Sequence, residues 1–220
     1  MIPLFHDLND ELVLVFGGGS VGARKVDRFA AEARVIVVSP RFHQSLETAA
    51  ADDGSSIELV RGSPDAAAVR DWIERTSPAL AIAATNDPEI NGAVETAASD
   101  AGVLVNRTDR AGERDSGSVV VPATVEDGPV RVAISTGGRS PALSKALRER
   151  IQAEIEGAGA MAELSGSLRE ELKDRDVDPD RRRAAIRAVV RSGPVWKALQ
   201  EGGSKGRNEA ERVIEGVLNE

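Results

Sequence analysis

A glycine-rich segment near the start of the chain constrains the fold more than any other feature. The apolar run from Leu12 to Phe16 is followed directly by Gly17-x-Gly19-x-x-Gly22, which opens a stretch with helical spacing of apolar residues. In a strand–turn–helix unit these glycines permit the tight turn, the approach of a pyrophosphate to the backbone and close helix–strand packing. The helix N-terminus favours the phosphate charge. This context predicts that the cofactor is contacted by Gly17, Gly19, Ser20, Val21 and Gly22.

The segments that follow alternate between apolar runs and helical spacing. We expect strands at 12–16, 35–38, 57–60, 79–84 and 103–105, with helices at 21–32, 66–74 and 88–101. Apolar runs without polar alternation are typical of parallel strands that helices cover on both faces. The pattern predicts an α/β fold, a Rossmann-type doubly wound parallel sheet, over residues 1–115.

The pattern changes after residue 115. Two strands are predicted at 119–123 and 130–134, joined by a hairpin-like turn at 126–129. From Ser140 onward the chain reads as helical, because Ser140 is a good N-cap and Pro141 suits the first helical position. We therefore expect a small α+β region over residues 116–150 and a helical domain over residues 151–220.

Composition excludes several classes of function. The chain has 220 residues, no cysteine and two histidines, so disulfides and thiol nucleophiles are excluded and no metal site is expected. A net charge of −8 argues against nucleic-acid binding, which needs a basic surface. No apolar run approaches the length of a membrane span, and the first residues lack the pattern of a signal peptide. We expect a cytoplasmic protein that binds no membrane.

The end of the second predicted strand bears on cofactor identity. NAD-selective domains often carry an acidic residue there that binds the ribose hydroxyls. Here the residues are Ser39-Pro40-Arg41. Ser39 can bind a ribose hydroxyl and Arg41 can tolerate a 2′-phosphate, so the residues leave NAD and NADP open.

A second candidate site lies between the last predicted strand and the capped helix. Two glycines, hydroxyl groups and basic side chains meet free backbone N–H groups at the helix start, which suits an anion. Arg107, Arg110 and Arg114 form a further basic cluster. Both features favour a polycarboxylate or phosphate substrate. The alternative is that these basic residues are ordinary solvated charges on helices. The candidate substrate-binding residues are Ser135, Thr136, Gly137, Gly138, Arg139, Ser140 and Lys145.

Asp109 is the candidate catalytic residue. It lies just past the fifth predicted strand, and ligands of open α/β sheets bind beyond the carboxyl ends of the strands. A carboxylate there could act as a general base or orient a substrate nitrogen. The alternative is a turn or cap residue without a catalytic role.

Taken together, these segments resemble the precorrin-2 dehydrogenase family, which includes the N-terminal part of bacterial sirohaem synthase. The resemblance covers about two-thirds of the chain, in the same order and at the same spacing. Residues 110–118 depart from it, because this segment is a few residues longer than usual. The matching segments are Pro3–Phe5, Val15–Lys25, Ala83–Asp87, Asn106–Asp109, Pro122–Ala123 and Ala133–Leu147.

The resemblance implies NAD-dependent oxidation of precorrin-2 to sirohydrochlorin. It implies a homodimer formed through residues 116–150, NAD as hydride acceptor, and iron insertion in some members. Asp109 matches the family's catalytic aspartate and Ser135 a serine at the tetrapyrrole site. Thr85 and Asn106 lie in matching motifs and are further candidates for cofactor binding. The eight carboxylates of precorrin-2 fit the concentration of basic residues.

Two alternatives stay open. One is a different dehydrogenase on the same fold, which would have no use for the Ser-Thr-Gly-Gly-Arg-Ser-Pro segment. The other is an NAD-binding redox-sensing regulatory module, which needs neither a catalytic aspartate nor a polyanion pocket. Binding of a tetrapyrrole separates both from the favoured interpretation.

Overall fold

The computed structural model describes residues 3–110 and 117–219 of the chain. Its residues divide into two compact units, Met1–Val121 and Pro122–Glu220. The predicted three-part division, at residues 115 and 150, stays a prediction. None of the helices in the described ranges is long and apolar enough to span a bilayer.

Unit 1 is a parallel five-stranded sheet with the strand order β3-β2-β1-β4-β5. The order reverses between β1 and β4, which is the switch point where open α/β sheets bind ligands. The predicted Rossmann-type fold is therefore confirmed. The strands are β1 (Leu12–Gly18), β2 (Arg34–Phe42), β3 (Ile57–Arg61), β4 (Leu80–Ala83) and β5 (Leu104–Arg107). The helices are α1 (Ser20–Phe29), α2 (Gln44–Ala50), α3 (Ala66–Thr76) and α4 (Pro88–Asp100).

Alternate residues of the strands face two different helix layers. Val13 and Val15 pack in one apolar cluster with residues of α1 and α2, whereas Leu14 and Phe16 pack in a second with residues of α3 and α4. All four side chains are fully buried. Covering on both faces explains why the strands read as continuous apolar runs.

Helix α2 was not predicted from the sequence. It has seven residues and only one buried side chain, Leu46, so it leaves almost no hydrophobic periodicity. His43 caps its start, with the ring Nδ1 accepting a hydrogen bond from the backbone N–H of Ser45 at 3.3 Å.

Unit 2 combines a two-stranded antiparallel sheet with five helices. The strands are β6 (Ala123–Asp127) and β7 (Val130–Ile134). The helices are α5 (Pro141–Glu154), α6 (Ala158–Asp174), α7 (Pro179–Arg191), α8 (Gly193–Glu201) and α9 (Gly203–Asn219). Helices α6 to α9 enclose an apolar cluster of their own, as the predicted helical domain requires.

The predicted strand at 119–123 is wrong in its position. β6 begins at Ala123, and the backbone N–H of Val119 instead donates to the carbonyl of Val105 on β5 at 2.8 Å. Ser118 forms an isolated parallel bridge with the same residue. The valine run therefore continues unit 1 along β5, because strand propensity does not say which neighbour supplies the hydrogen bonds.

Candidate functional site

The glycine-rich turn joins β1 to α1 at the switch point of the sheet. Gly17 has φ of +110°, and a Cβ atom there would lie 2.4 Å from the carbonyl oxygen of Ala84. A Cβ on Gly22 would lie 2.0 Å from the carbonyl oxygen of Gly17. Neither position tolerates a side chain, so these two glycines set the close packing of turn, helix and strand.

Gly19 differs from its neighbours because the space beside it is open. No heavy atom lies within 4 Å of the position that a Cβ atom would take, and its φ of −75° is open to any residue. Gly19 is also the N-cap of α1, and no side chain forms a capping hydrogen bond there. The first turn contains no acidic residue, and Ser20 and Val21 are exposed. Backbone N–H groups of this turn are therefore available to an anion.

The end of β2 lies against the same turn. Ser39 is buried, and its hydroxyl donates a hydrogen bond to the carbonyl oxygen of Arg41 at 2.7 Å. The guanidinium of Arg61 stacks on the ring of Phe42, 5.2 Å from its centroid. Ser39 thus uses its donor internally and retains acceptor capacity, and the nearby Arg61 forms an ion pair with Glu47 at 3.7 Å. This environment is compatible with either dinucleotide.

Asn91 fixes the end of β4, and sequence reasoning missed this residue. Its Oδ1 accepts hydrogen bonds from the backbone N–H of Thr85 at 3.1 Å and from the Thr85 hydroxyl at 2.8 Å. Its Nδ2 donates to the Thr85 carbonyl at 3.0 Å. The available signal was a polar residue on a helix eight positions beyond the end of a strand. Thr85 is therefore held rigidly at the carboxyl edge of the sheet.

Asn106 on β5 has an unpaired acceptor. The side chain is buried, and its Nδ2 donates to the carbonyl of Val119 at 2.7 Å. Its Oδ1 has no hydrogen-bond partner among the described residues, although it is fully buried. An unsatisfied buried acceptor costs about 1–3 kcal/mol, so this atom fits a donor group supplied by a ligand.

The Asp109 carboxylate is bound by a buried arginine. Arg107, the last residue of β5, donates from Nε to Oδ1 at 3.0 Å and from a terminal nitrogen to Oδ2 at 2.6 Å. The other terminal nitrogen donates to Glu95 on α4 at 2.9 Å. Arg107 is 5% exposed and is the only charged residue among the buried side chains of the described ranges. Arg110 pairs with Glu95 from the solvent side at 3.2 Å.

This arrangement corrects the predicted basic cluster. Arg107 does not present a free charge, because two carboxylates neutralise it, and Arg110 shares one of them. Arg114 lies outside the described residues. Spacing in the sequence cannot reveal such pairing, because Glu95 is twelve positions from Arg107 and lies on a different element.

The same contacts lower the pKa of Asp109. The hydrogen bond from Arg107 is the main cause, burial acts in the opposite direction, and a hydrogen bond from Asn91 adds to the lowering. The two carboxylates correspondingly raise the pKa of Arg107, with the hydrogen bond to Asp109 contributing most. Asp109 is therefore an anion at neutral pH and a weak proton acceptor.

In unit 2, the segment between β7 and α5 forms a compact turn. The hydroxyl of Thr136 accepts from the backbone N–H of Ser140 at 3.2 Å, and the backbone N–H of Arg139 donates to the Thr136 carbonyl at 3.2 Å. Gly137 and Gly138 have φ values of +63° and +78°. Consecutive positive φ values suit glycine and explain the glycine pair.

The hydroxyls of this segment accept backbone hydrogen bonds, whereas its basic side chains are exposed to solvent. The Ser135 hydroxyl accepts from the backbone N–H of Gly137, and the Ser140 hydroxyl caps α5 at the N–H of Leu143, both at 3.2 Å. Arg139 and Lys145 are exposed. The segment therefore presents two cations and a capped helix start, and its role in substrate binding stays a prediction.

The structure gathers the predicted cofactor residues and Asp109 at one edge of unit 1. The glycine turn, Ser39, Thr85, Asn106 and Asp109 all lie at or just beyond the carboxyl ends of the parallel strands. β1 and β5 are separated only by β4, which places their ends about 10 Å apart. That span suits a dinucleotide extended across the switch point. Among the described residues, no group of three or more acidic or histidine side chains is placed to hold a metal ion.

Comparisons with known proteins agree with this fold. The family described as “Putative NAD(P)-binding” matches residues 4–123, and the family described as “Sirohaem biosynthesis protein central” matches residues 127–154. A protein named precorrin-2 dehydrogenase from Methanosarcina barkeri is 31% identical over 99% of this chain and 95% of its own length. The solved structure titled “SirC, precorrin-2 dehydrogenase” superposes with a TM-score of 0.73 at 22% identity, covering 98% of this chain and 100% of that one. This likeness shows the shared fold.

Relatives named siroheme synthase are longer. The one from Azotobacter vinelandii is 34% identical over 99% of this chain, and the one from Tolumonas auensis is 35% identical over 83%. This chain spans only 44% and 36% of their respective lengths.

Proposed function

The chain belongs to the family of precorrin-2 dehydrogenases and siroheme synthases, and from this premise we propose that it oxidises precorrin-2 to sirohydrochlorin with NAD. The reaction would transfer a hydride to NAD and release a proton, giving sirohydrochlorin, NADH and H⁺. One observation carries the proposal. An uncapped helix start at a glycine-rich turn lies at the same sheet edge as a fixed, ionised carboxylate.

The residues at this edge fit a dinucleotide. The open space beside Gly19 admits a phosphate to the backbone, and the first turn of α1 offers N–H groups without a capping side chain. The buried Oδ1 of Asn106 offers an acceptor that the described residues leave unpaired. Gly17, Gly19, Ser20, Val21 and Gly22 would hold the pyrophosphate, with Ser39, Thr85 and Asn106 along the remainder. When bound, NAD supplies the hydride acceptor.

NAD is proposed over NADP on the family resemblance, since the residues at the end of β2 are compatible with both. We expect a higher kcat/KM with NAD. The discriminating variant is Arg41→Ala, which would lower the use of NADP and spare NAD if the arginine meets a 2′-phosphate. A higher kcat/KM with NADP in the wild type would reverse this part of the proposal.

Asp109 is proposed to orient precorrin-2 and to balance the positive charge that develops as hydride leaves. Its pKa is lowered by Arg107, which makes a fixed anion a better description of it than a general base. On the family resemblance, the proposed contacts for the carboxylates of the substrate are Ser135, Thr136, Gly137, Gly138, Arg139, Ser140 and Lys145. Supporting this, Arg139 and Lys145 are exposed and α5 has no acidic residue in its first turn.

The test is anaerobic conversion of precorrin-2 with NAD, followed by NADH formation and the sirohydrochlorin spectrum. We expect turnover by the wild type and its loss in Asp109→Ala, with Asp71→Ala, an exposed aspartate on α3, as the matched control. Turnover that survives Asp109→Ala would move the chemistry to another group. A wild type that neither turns over nor binds precorrin-2 would refute the dehydrogenase and leave an NAD-binding regulatory module. Iron insertion into sirohydrochlorin is assayed on the same preparation.

We also propose a homodimer formed through residues 116–150, in a cytoplasmic protein. Helix α5 has no buried residue, and Leu143 on it is 50% exposed. A two-stranded sheet is marginal alone, and pairing with a second copy would complete it. Sedimentation equilibrium should give a dimer that Leu143→Asp weakens, whereas a monomeric wild type would contradict the assignment.

A further inference from the structure

The buried arginine at the end of β5 enters the proposed function only through its effect on the pKa of Asp109. Arg107 is 5% exposed, whereas the neighbouring carboxylates of Glu95 and Asp109 are 15% and 28% exposed. Burying a charge costs solvation free energy, and a buried ion pair seldom stabilises a fold more than apolar side chains of the same volume would. Stability alone therefore does not account for an arginine at this position.

The geometry of the guanidinium gives a reason. Two of its nitrogens meet the two oxygens of Asp109 in a bidentate fork, at 3.0 and 2.6 Å. The third meets Glu95 on α4 at 2.9 Å, so the fork cannot rotate without breaking a contact to a helix. The backbone N–H and the hydroxyl of Thr108 both donate to the carbonyl of Ala83. These two hydrogen bonds fix the backbone between Arg107 and Asp109.

We propose that Arg107, held in place by Glu95, is a positioning residue that orients the Asp109 carboxylate and keeps it ionised at the dinucleotide edge of the sheet. This inference rests on the proposed dehydrogenase function. A guanidinium suits the task because its planar fork matches both carboxylate oxygens, which a lysine ammonium cannot do.

The charges around Asp109 determine the direction in which its pKa moves when Arg107 is removed. Among the described residues, Arg107 on β5 is the charged group that contacts the Asp109 carboxylate. Glu95 on α4 lies on the other side of Arg107, and Arg110 pairs with Glu95. Without Arg107 the carboxylate loses its hydrogen-bond fork and has Glu95 as a like-charged neighbour. Both changes favour the protonated form, so the pKa of Asp109 rises.

The first experiment measures kcat, KM and the pH profile of precorrin-2 oxidation for Arg107→Met and Arg107→Lys. We expect Arg107→Met to lower kcat by about tenfold or more, with the KM for NAD unchanged, and to move the acid limb up by about one pH unit or more. Compared with Arg107→Met, Arg107→Lys should partly restore the position of the acid limb, and it should restore kcat to a smaller extent. The matched control is Arg70→Met, which removes an exposed ion pair with Asp100 and should match the wild type.

The second experiment measures the titration of the Asp109 carboxyl group directly and does not depend on enzyme activity. A ¹³C NMR titration of the Asp109 carboxyl carbon, assigned with Asp109→Asn, should give a wild-type midpoint below the ordinary value of about 3.9. Arg107→Met should move that midpoint above it. If Arg107→Met does not fold, Glu95→Gln serves instead. It should lower kcat several-fold by loosening Arg107 while the Asp109 midpoint stays low.

The outcomes separate the two proposals. A wild type that does not oxidise precorrin-2 refutes the proposed function, and the titration still reports whether Arg107 holds Asp109 ionised. An active wild type with an Asp109 midpoint at or above its ordinary value overturns the positioning role. So does Arg107→Met that only lowers the melting temperature, with kcat and pH profile unchanged, since that is the signature of a structural ion pair. Unchanged kcat in Glu95→Gln contradicts the part assigned to Glu95.

Discussion

Gly19 and Gly22 belong to one motif, and the structure predicts opposite consequences for the two alanine variants. A Cβ on Gly22 would lie 2.0 Å from the carbonyl oxygen of Gly17 and must move beyond 3.0 Å, so α1 has to shift by about 1 Å from β1. The obstacle is backbone and cannot rotate away. Overpacking of this kind costs up to about 3 kcal/mol, and the better helix propensity of alanine returns about 1 kcal/mol. The net loss of about 2 kcal/mol corresponds to about 8 °C in melting temperature for a unit of this size.

Gly19→Ala should leave stability nearly unchanged. Its φ of −75° suits alanine, and nothing lies within 4 Å of the new methyl group. The weaker capping preference of alanine and the reduced entropy of the unfolded chain nearly cancel, leaving about 0.5 kcal/mol or less. The methyl group would, however, occupy the space through which a phosphate reaches the backbone. Loss of one charge-assisted hydrogen bond, about 1.5–3 kcal/mol, weakens NAD binding by about 10- to 100-fold.

The measurements are thermal unfolding by circular dichroism and NAD titration by calorimetry on both variants and the wild type. The expected pattern is a lowered melting temperature for Gly22→Ala, and a preserved melting temperature with weakened NAD binding for Gly19→Ala. Wild-type NAD affinity in Gly19→Ala would refute the placement of the pyrophosphate at this turn. An unchanged melting temperature in Gly22→Ala would refute the close helix–strand contact.

Three further predictions concern stability. A Cβ on Gly159 would lie 2.6 Å from the backbone oxygen of Asp127, so Gly159→Ala should lose about 2 kcal/mol in urea unfolding, whereas Gly166→Ala on the same helix has open space and should not lose stability. Ser140→Ala removes the side-chain cap of α5 and should cost about 1 kcal/mol, unless the cap is dispensable, in which case the urea midpoint will not move. The folded-state pKa of Asp109 is lowered, so its contribution is present above its unfolded pKa of about 4 and is lost as pH falls through the folded value. Asp109→Asn should accordingly cost about 2 kcal/mol at pH 7, and the difference from wild type should shrink at pH 3; a constant difference would contradict the lowered pKa.

The buried pair of Glu95 and Arg107 shows where inference from sequence stops. Arg107 directly follows Asn106 and reads as one of three neighbouring basic residues in a loop. Only the packing of α4 on β5 brings Glu95 to its guanidinium, and only the turn after β5 brings Asp109 back onto it. Arg107 and Arg110, which the sequence places in a surface cation cluster, are thus members of an ion-pair network in which Glu95 and Asp109 balance their charge.

The sequence by itself determined the fold class, the glycine-rich turn between β1 and α1, and the edge of the sheet proposed to bind ligands. These follow from local rules: hydrophobic periodicity, the conformations open to glycine, and the N-cap chemistry of Ser140. The short helix α2 and the true start of β6 escaped those rules. The helix has one buried residue, and the valine run before β6 donates a backbone hydrogen bond to β5 instead of pairing with a hairpin partner.

Tertiary structure alone decided which polar groups are satisfied and which are not. It pairs Asn91 with Thr85, leaves Oδ1 of Asn106 buried without a partner among the described residues, and places Arg107 between two carboxylates. The physical reason is that hydrogen bonds and ion pairs depend on distances between elements far apart in the chain. Local propensity fixes the elements, but only their packing sets those distances and, with them, the ionisation of Asp109.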